Sequence, residues 1–283
     1  MNTPDERIDI RGEFNGKVEI NKIYNIDCLE LMAHMPTDFV DLIITSPPYN
    51  LNANSSSGNK YNNLFKDNLT QDEYYEWSVK VITECMRVAK LVCWNIQLLS
   101  GNKEALLRYM GYFNKNIKEI LIWDKQNAAP AYSEKVFNSE FEFIILFDKN
   151  GGGRKIERSK FAKGTVSNII RVYKMLNCKK DKSLQDIHFA VFPDLIPIKL
   201  MEYFTDENDI VFDPFMGSGT TILNAIKYNR RFIGSELIKE YYDYAAERIE
   251  CELSQYKLLF STSSQQSATS RRNEDELSQY KLL

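Results

Sequence analysis

A chain of 283 residues with 43% hydrophobic and 27% charged residues can bury a sizeable core, and its length fits one large domain or one domain with a smaller insert. Its longest apolar runs, such as Phe143 to Phe147, are far shorter than the ~18 residues of a membrane span. The opening MNTPDERIDIRGE has no apolar stretch and is not expected to act as a signal peptide. Five scattered cysteines (Cys28, Cys85, Cys93, Cys178, Cys251) form no CxxC pair, and only two histidines, His34 and His188, are present. This pattern argues for reduced thiols in a cytoplasmic protein and against a metal held by Cys or His.

The net charge of −3 hides an asymmetry. From Lys149 to Lys182, eleven Lys and Arg stand against two acids, Glu157 and Asp181, a balance of +9 that leaves −12 for the rest. A basic block in an acidic body suits a confined nucleic-acid contact, although a solvated charged loop has the same composition.

In chain order, residues 1–17 are polar and expected at the periphery. VEINKIYNIDCLELMAHM reads as a short strand, a turn at Asn25 to Asp27, and a helix from Cys28. FVDLIIT (Phe39 to Thr45) is a β-branched apolar run stopped by Pro47-Pro48, hence a buried strand. The Asn- and Ser-rich LNANSSSGNKYNNLFKDN reads as a loop. At Thr70, TQDE resembles a capping box that starts a helix running to Val88. LVCWNI, EILIWDK and FEFIILF read as strands. Residues 150–185 open on three glycines, show no period and are expected to be an insert. After it, IPIKLMEYFT is helical, DIVFDPF a strand, Ile222 to Tyr228 a helix and RFIGSE a strand, with a last helix from Glu240 to Tyr256. Strands alternating with helices on both sides of the insert predict a doubly wound α/β sheet. STSSQQSATSRRNED is low-complexity, expected to be disordered, and separates two copies of ELSQYKLL.

Two motifs carry chemistry. In DPFMGSGTT (Asp213 to Thr221), Gly217 and Gly219 let the backbone turn tightly towards a ligand, while Ser218, Thr220 and Thr221 bring hydroxyls to a helix N-terminus. Glu236, at the end of the next strand, suits hydrogen bonding to ribose hydroxyls. No Gly-Lys-Ser/Thr follows, so this is not a P-loop, and the absence of GxGxxG disfavours a nicotinamide enzyme. A plain strand-to-helix turn fits the same glycines. In TSPPYN (Thr45 to Asn50), Pro47 and Pro48 force the chain out of the strand into a rigid loop. That loop offers the Ser46 hydroxyl, the Pro47 carbonyl and the flat ring of Tyr49. An exocyclic amino nitrogen is a poor nucleophile because its lone pair is delocalised into the base. Two acceptors on its hydrogens favour a localised lone pair that can attack an electrophile in line, and an aromatic ring can stack on an extruded base. A Pro-Pro turn with Tyr49 packed on it remains the other reading of the loop alone.

Together, SPPY and DPFMGSGT resemble the amino-group DNA methyltransferases, in the motif order of that family's beta group, with the recognition region between the two halves. IYNIDCLELM, FIGSEL, NAAPAYSEKVFNSEFEFIILF and HFAVFPDLIPIKLM resemble further family segments, although members more often carry His-Pro where this chain has His188-Phe189. The resemblance spans Ile20 to Glu250 and implies a Rossmann-like methyltransferase sheet with a small inserted target-recognition region. Residues 18–149 then form the catalytic half, 150–185 the insert, 186–258 the cofactor-binding half and 259–283 a tail. It implies Ser46, Pro47, Pro48 and Tyr49 as catalytic residues, and no metal. S-adenosyl-L-methionine would be held by Asp27, Asp213, Phe215, Gly217, Ser218, Gly219, Thr220 and Glu236. Lys179, Lys180 and Lys182 are the expected DNA contacts. The implied partner is double-stranded DNA with the target base flipped out, with no membrane. The implied setting is cytoplasmic, in restriction-modification beside a cognate restriction endonuclease, or in epigenetic marking. Monomer and homodimer both stay open. In the family, Ser at the first motif position leans towards N4 of cytosine and Asp towards N6 of adenine, so cytosine is favoured and adenine is the alternative. A DNA-binding module without catalysis and a dehydrogenase are the competing classes. The intact motifs weigh against the first, and the missing GxGxxG and the basic block against the second.

Overall fold

The computed structural model describes residues 9–51, 67–126, 134–172 and 192–263. Their elements are, in order, β1 (Lys22–Tyr24), α1 (Cys28–Ala33), β2 (Leu42–Thr45), α2 (Gln71–Val88), β3 (Val92–Ile96), α3 (Lys103–Tyr112), β4 (Ile117–Asp124), β5 (Phe141–Phe147), β6 (Ile169–Arg171), α4 (Leu195–Phe204), β7 (Ile210–Asp213), α5 (Thr220–Lys227), β8 (Arg231–Ser235) and α6 (Lys239–Ser263). The strands form one sheet in the order β1-β8-β7-β2-β3-β5-β4-β6, in which β5 alone runs antiparallel to its neighbours.

The apolar runs form strands because both sheet faces are covered. Leu42 and Ile44 enter a core shared with α4, α5 and α6, while Ile43 enters the opposite core shared with α1, α2 and α3. β5 divides in the same way, with Ile144 and Leu146 on one side and Ile145 and Phe147 on the other. Each such side chain contributes about 1.5–3 kcal/mol when buried, which explains why these strands are continuous apolar runs rather than alternating ones. α2 begins where the capping box places it. Thr70 accepts from the Glu73 amide and the Glu73 side chain bonds back to the Thr70 amide at 2.8 Å.

The chain builds outward from β2 to β3 on one side and later from β7 to β8 on the other. β2 and β7 are parallel neighbours, with Leu42 opposite Val211 and Ile43 opposite Phe212. The order therefore reverses between them, and ligands bind at the carboxyl edge of such a switch point.

Four expectations change. Residues 1–17 are not wholly peripheral, because Ile10 is fully buried and Arg11 pairs with Glu250 and Asp243 of α6. The insert, read as aperiodic, supplies the three-residue β6, which adds to the sheet edge beside β4. α6 runs to Ser263, past the expected start of the tail at residue 259. The basic block is, in its described part, neutralised by the body of the protein. Lys149 pairs with Asp38, Arg154 with Glu119, Arg158 with Asp41 and Asp209, Lys160 with Asp206, and Arg171 with Asp124. Much of the charge asymmetry thus fastens the insert down. Among the described residues of the block, Lys163 alone makes no ion pair.

Candidate active site

Two loops leave β2 and β7 at the same edge of the sheet and are tied together at their roots. The Thr45 hydroxyl donates to Asp213 Oδ1 at 2.8 Å, a buried bond across 168 residues of sequence. Asp213 also accepts from the Phe215 amide at 3.1 Å and from the Thr221 side chain. Burial pushes its carboxyl up to about 6, with these three donors pulling it back. Asp213 is turned into the protein, where it holds both loops in register.

The Gly-rich loop is shaped from beneath. Gly219 has φ +78°, and a Cβ there would lie 3.0 Å from Ile249 and 3.2 Å from Ala245 of α6. Only glycine gives both the left-handed turn and that approach. Arg248 of α6 donates to the Ser218 carbonyl at 2.9 Å and to the Thr220 hydroxyl at 3.0 Å, and Ser218 and Thr220 are both buried. The loop is thereby braced against α6. Phe215 leaves on the other side and packs 5.7 Å from the Trp77 ring and 6.3 Å from Trp94.

The neighbouring strand ends complete this half. Glu236, just past β8, accepts from the Gly217 amide at 3.0 Å and the Ile238 amide at 2.9 Å. Burial pushes its carboxyl up to about 7. Asn25, just past β1, donates to the Glu236 carbonyl at 2.8 Å. Asp27 caps α1 through the amides of Leu29 and Glu30. Asp27, Gly217 and Glu236 thus lie around the carboxyl ends of β1, β7 and β8, and a carboxylate accepting two bonds retains lone pairs for a ligand's hydroxyls.

TSPPYN is locked by buried polar groups. Tyr74 donates to the Pro48 carbonyl at 2.6 Å and Asn102 to the Tyr49 carbonyl at 2.8 Å. Asn50, at φ 55°, accepts from the Leu69 amide and donates to the carbonyls of Leu69 and Gly101. A Cβ on Gly101 would lie 1.8 Å from the Asn50 carbonyl oxygen, so Gly101 is needed for this seat. Among the described residues, the Pro47 carbonyl accepts no hydrogen bond, whereas its two successors are taken.

The side chains of the loop reach a group that the motifs do not contain. Tyr49 donates to Glu142 Oε2 at 2.7 Å, Asn95 donates to the Tyr49 hydroxyl at 2.6 Å, and Ser46 Oγ lies 2.9 Å from that hydroxyl. Glu142 Oε1 pairs with Lys125 at 2.9 Å, and Asn95, Lys125 and Glu142 are all buried. Tyr49 as a whole is half-buried with its hydroxyl inward, and burial followed by the charge of Glu142 raises the phenol well above its ordinary value. Sequence reasoning missed Asn95, Lys125, Glu142 and Arg248. The available signal was a polar residue inside an apolar strand, as in VCWNI and FEFIILF. Lys179, Lys180, Lys182 and His188 lie outside the described residues.

An open α/β sheet with a Gly-rich loop and a Pro-Pro loop side by side at its switch point is a methyltransferase fold. The N6_N4_Mtase family model, described as DNA methylase, matches residues 40–247, and the chain belongs to this family of S-adenosylmethionine-dependent DNA methyltransferases. It is 28% identical over 269 residues to the Type II methyltransferase M.BglII of Bacillus subtilis, covering 83% of this chain and 71% of that protein. Against the Type II methyltransferase M.HinfI of Haemophilus influenzae it is 26% identical, covering 81% and 68%. The fold is similar to that of the PvuII cytosine-N4-specific DNA methyltransferase, with a TM-score of 0.63, 20% identity, and coverage of 83% of this chain and 87% of that one. A Thermus thermophilus protein solved in complex with S-adenosyl-L-methionine matches with a TM-score of 0.52, 23% identity, and coverage of 81% and 95%. No described helix is long and apolar enough to cross a membrane.

Proposed function

We propose that this DNA methyltransferase transfers a methyl group to the exocyclic amino nitrogen of a base flipped out of duplex DNA, with N4 of cytosine as the target. The observation that carries this reading is the juxtaposition of Ser46-Pro47-Pro48-Tyr49 with the Gly-rich loop, whose roots are joined by the bond from Thr45 to Asp213. The donor fits the second loop: the Gly217 amide and the Glu236 carboxylate meet beside it, and Asp27 follows β1, the strand next to β8. S-adenosylmethionine supplies, when bound, an electrophilic methyl group on a sulfonium.

The residues of the chain then have separate tasks. Ser46 Oγ and the Pro47 carbonyl accept the two amino hydrogens and draw the nitrogen lone pair out of the ring. The nitrogen gains the methyl as the bond from that carbon to the donor's sulfur breaks, and it releases one proton to solvent. Tyr49 offers its ring to the extruded base while its hydroxyl stays anchored. The recognition insert is braced on the body by its ion pairs, and Lys179, Lys180 and Lys182 contact the DNA backbone. Serine rather than a carboxylate at position 46 favours cytosine, since a neutral hydroxyl polarises an amino group less. The alternative is N6 of adenine. Mass spectrometry of nucleosides from treated DNA should show N4-methylcytosine, and N6-methyladenine alone would reverse the base assignment.

A further inference from the structure

We infer that Glu142 is a positioning residue that fixes the direction of a hydrogen-bond chain, so that Ser46 faces the substrate as an acceptor. The inference rests on the amino-methyltransferase reading and deepens it. An ammonium can only donate and a carboxylate can only accept. Lys125 Nζ lies 2.9 Å from Glu142 Oε1 and 3.1 Å from Gln97 Oε1, so the carboxylate is held at one end by a cation. Its other oxygen lies 2.7 Å from the Tyr49 hydroxyl and 2.6 Å from Asn95 Nδ2. The single hydroxyl hydrogen of Tyr49 is therefore committed to Glu142. In its remaining contacts the phenol oxygen can only accept, from Asn95 Nδ2 at 2.6 Å and from Ser46 Oγ at 2.9 Å. The Ser46 hydrogen thus points inward; one side of its oxygen lies 3.4 Å from Asn95 Nδ2, whose hydrogens are held more closely by Tyr49 and Glu142, and a lone pair is left for an incoming amino group.

Asn95 supports this direction. Its Nδ2 has two hydrogens, one for Glu142 and one for Tyr49, while its Oδ1 is buried without a partner among the described residues. A flipped amide would bring Oδ1 against the carboxylate. An orphaned buried oxygen costs about 1–3 kcal/mol, and it is tolerated here because the alternative sets two acceptors face to face. The whole chain from Lys125 to Ser46 is ordered by the charge on Glu142.

Glu142→Gln keeps the shape and reverses the logic. An amide turned to keep its oxygen on Lys125 donates to Tyr49, whose hydrogen moves to Ser46, whose own hydrogen then points at the substrate. The test is single-turnover methyl transfer with the full chain, duplex DNA and S-adenosylmethionine, in a cycle of Glu142→Gln and Tyr49→Phe. Loss of one polar contact made in the transition state lowers the rate roughly 100-fold or more, and Glu142→Gln should do so with cofactor affinity unchanged. In the Tyr49→Phe background it should cost less than about 3-fold, because the hydroxyl that relays its effect is gone. An equal loss in both backgrounds, or a near-native rate for Glu142→Gln, overturns the inference. Should uncovering Lys125 unfold the single variant, Glu142→Leu with Lys125→Met removes both charges and the acceptor of the Tyr49 hydrogen, which then turns to Ser46, and the same loss of rate is expected. If Ser46→Ala is slow but Glu142→Gln is fast, this inference alone fails. If the native protein leaves every DNA amino group unmethylated, the functional reading fails first.

Discussion

Lowering the pH from 8 to 6 should weaken S-adenosylmethionine binding roughly tenfold, through Glu236. Burial pushes its carboxyl up to about 7, against the pull of the Ile238 and Gly217 amides. About nine-tenths of the side chain is then ionised at pH 8 and about one-tenth at pH 6. Ribose hydroxyls donate best to the ionised form, so affinity should rise with pH through this window and level off above it. The stability of the cofactor-free protein should move the other way. A carboxyl with a raised pKa contributes stability that is fully present below its ordinary range near 4.5 and is lost as the pH rises through about 7. Calorimetric titration at several pH values, with Glu236→Gln alongside to subtract the ionisation of the ligand itself, reads the effect. Glu236→Gln should bind more weakly at pH 8 and lose this slope. A flat native profile, or an equal slope in the variant, would refute the assignment.

Other consequences follow from the same geometry. Ser46→Ala and Tyr49→Ala should abolish methyl transfer while leaving calorimetric cofactor binding nearly intact, since neither side chain belongs to the Gly-rich loop; lost binding in either would show that the two halves are misassigned. Arg158→Met should lower the free energy of urea unfolding by about 1–3 kcal/mol, because it takes the cation from Asp209, leaves Asp41 with Lys90 alone, and unfastens the insert. An unchanged midpoint would mean that the insert is held elsewhere. Replacing Lys179, Lys180 and Lys182 together with Ala should weaken DNA binding and flatten its salt dependence, and an unaltered salt slope would move the DNA contact to another surface.

Much of the frame was legible because local and global signals agree. Pro47-Pro48 ends β2, Thr70 and Glu73 cap α2, and the continuous apolar runs mark strands covered on both faces. The two loops were legible as motifs, but their adjacency depends on β2 pairing with β7, a contact that no local pattern encodes. α3 was missed although Ala105, Leu106 and Tyr109 are buried at helical spacing, since Gly111 and the surrounding polar residues blur the period. β6 is three residues long and defined only by its pairing to β4. The described part of the basic block could not be read from composition, because the acids that face Arg154, Arg158 and Lys160 come from distant parts of the chain. Glu142 and Asn95 were visible as polar residues in apolar strands, but their role depends on distances across the sheet.

Methylation-sensitive sequencing of DNA from cells expressing this protein, compared with cells expressing Ser46→Ala, tests amino methylation by the TSPPYN loop most directly, because base and site are read together. The account predicts N4-methylcytosine at one recurring sequence in the first population and its loss in the second. Modification that survives Ser46→Ala, or no modified base in either population, would contradict it.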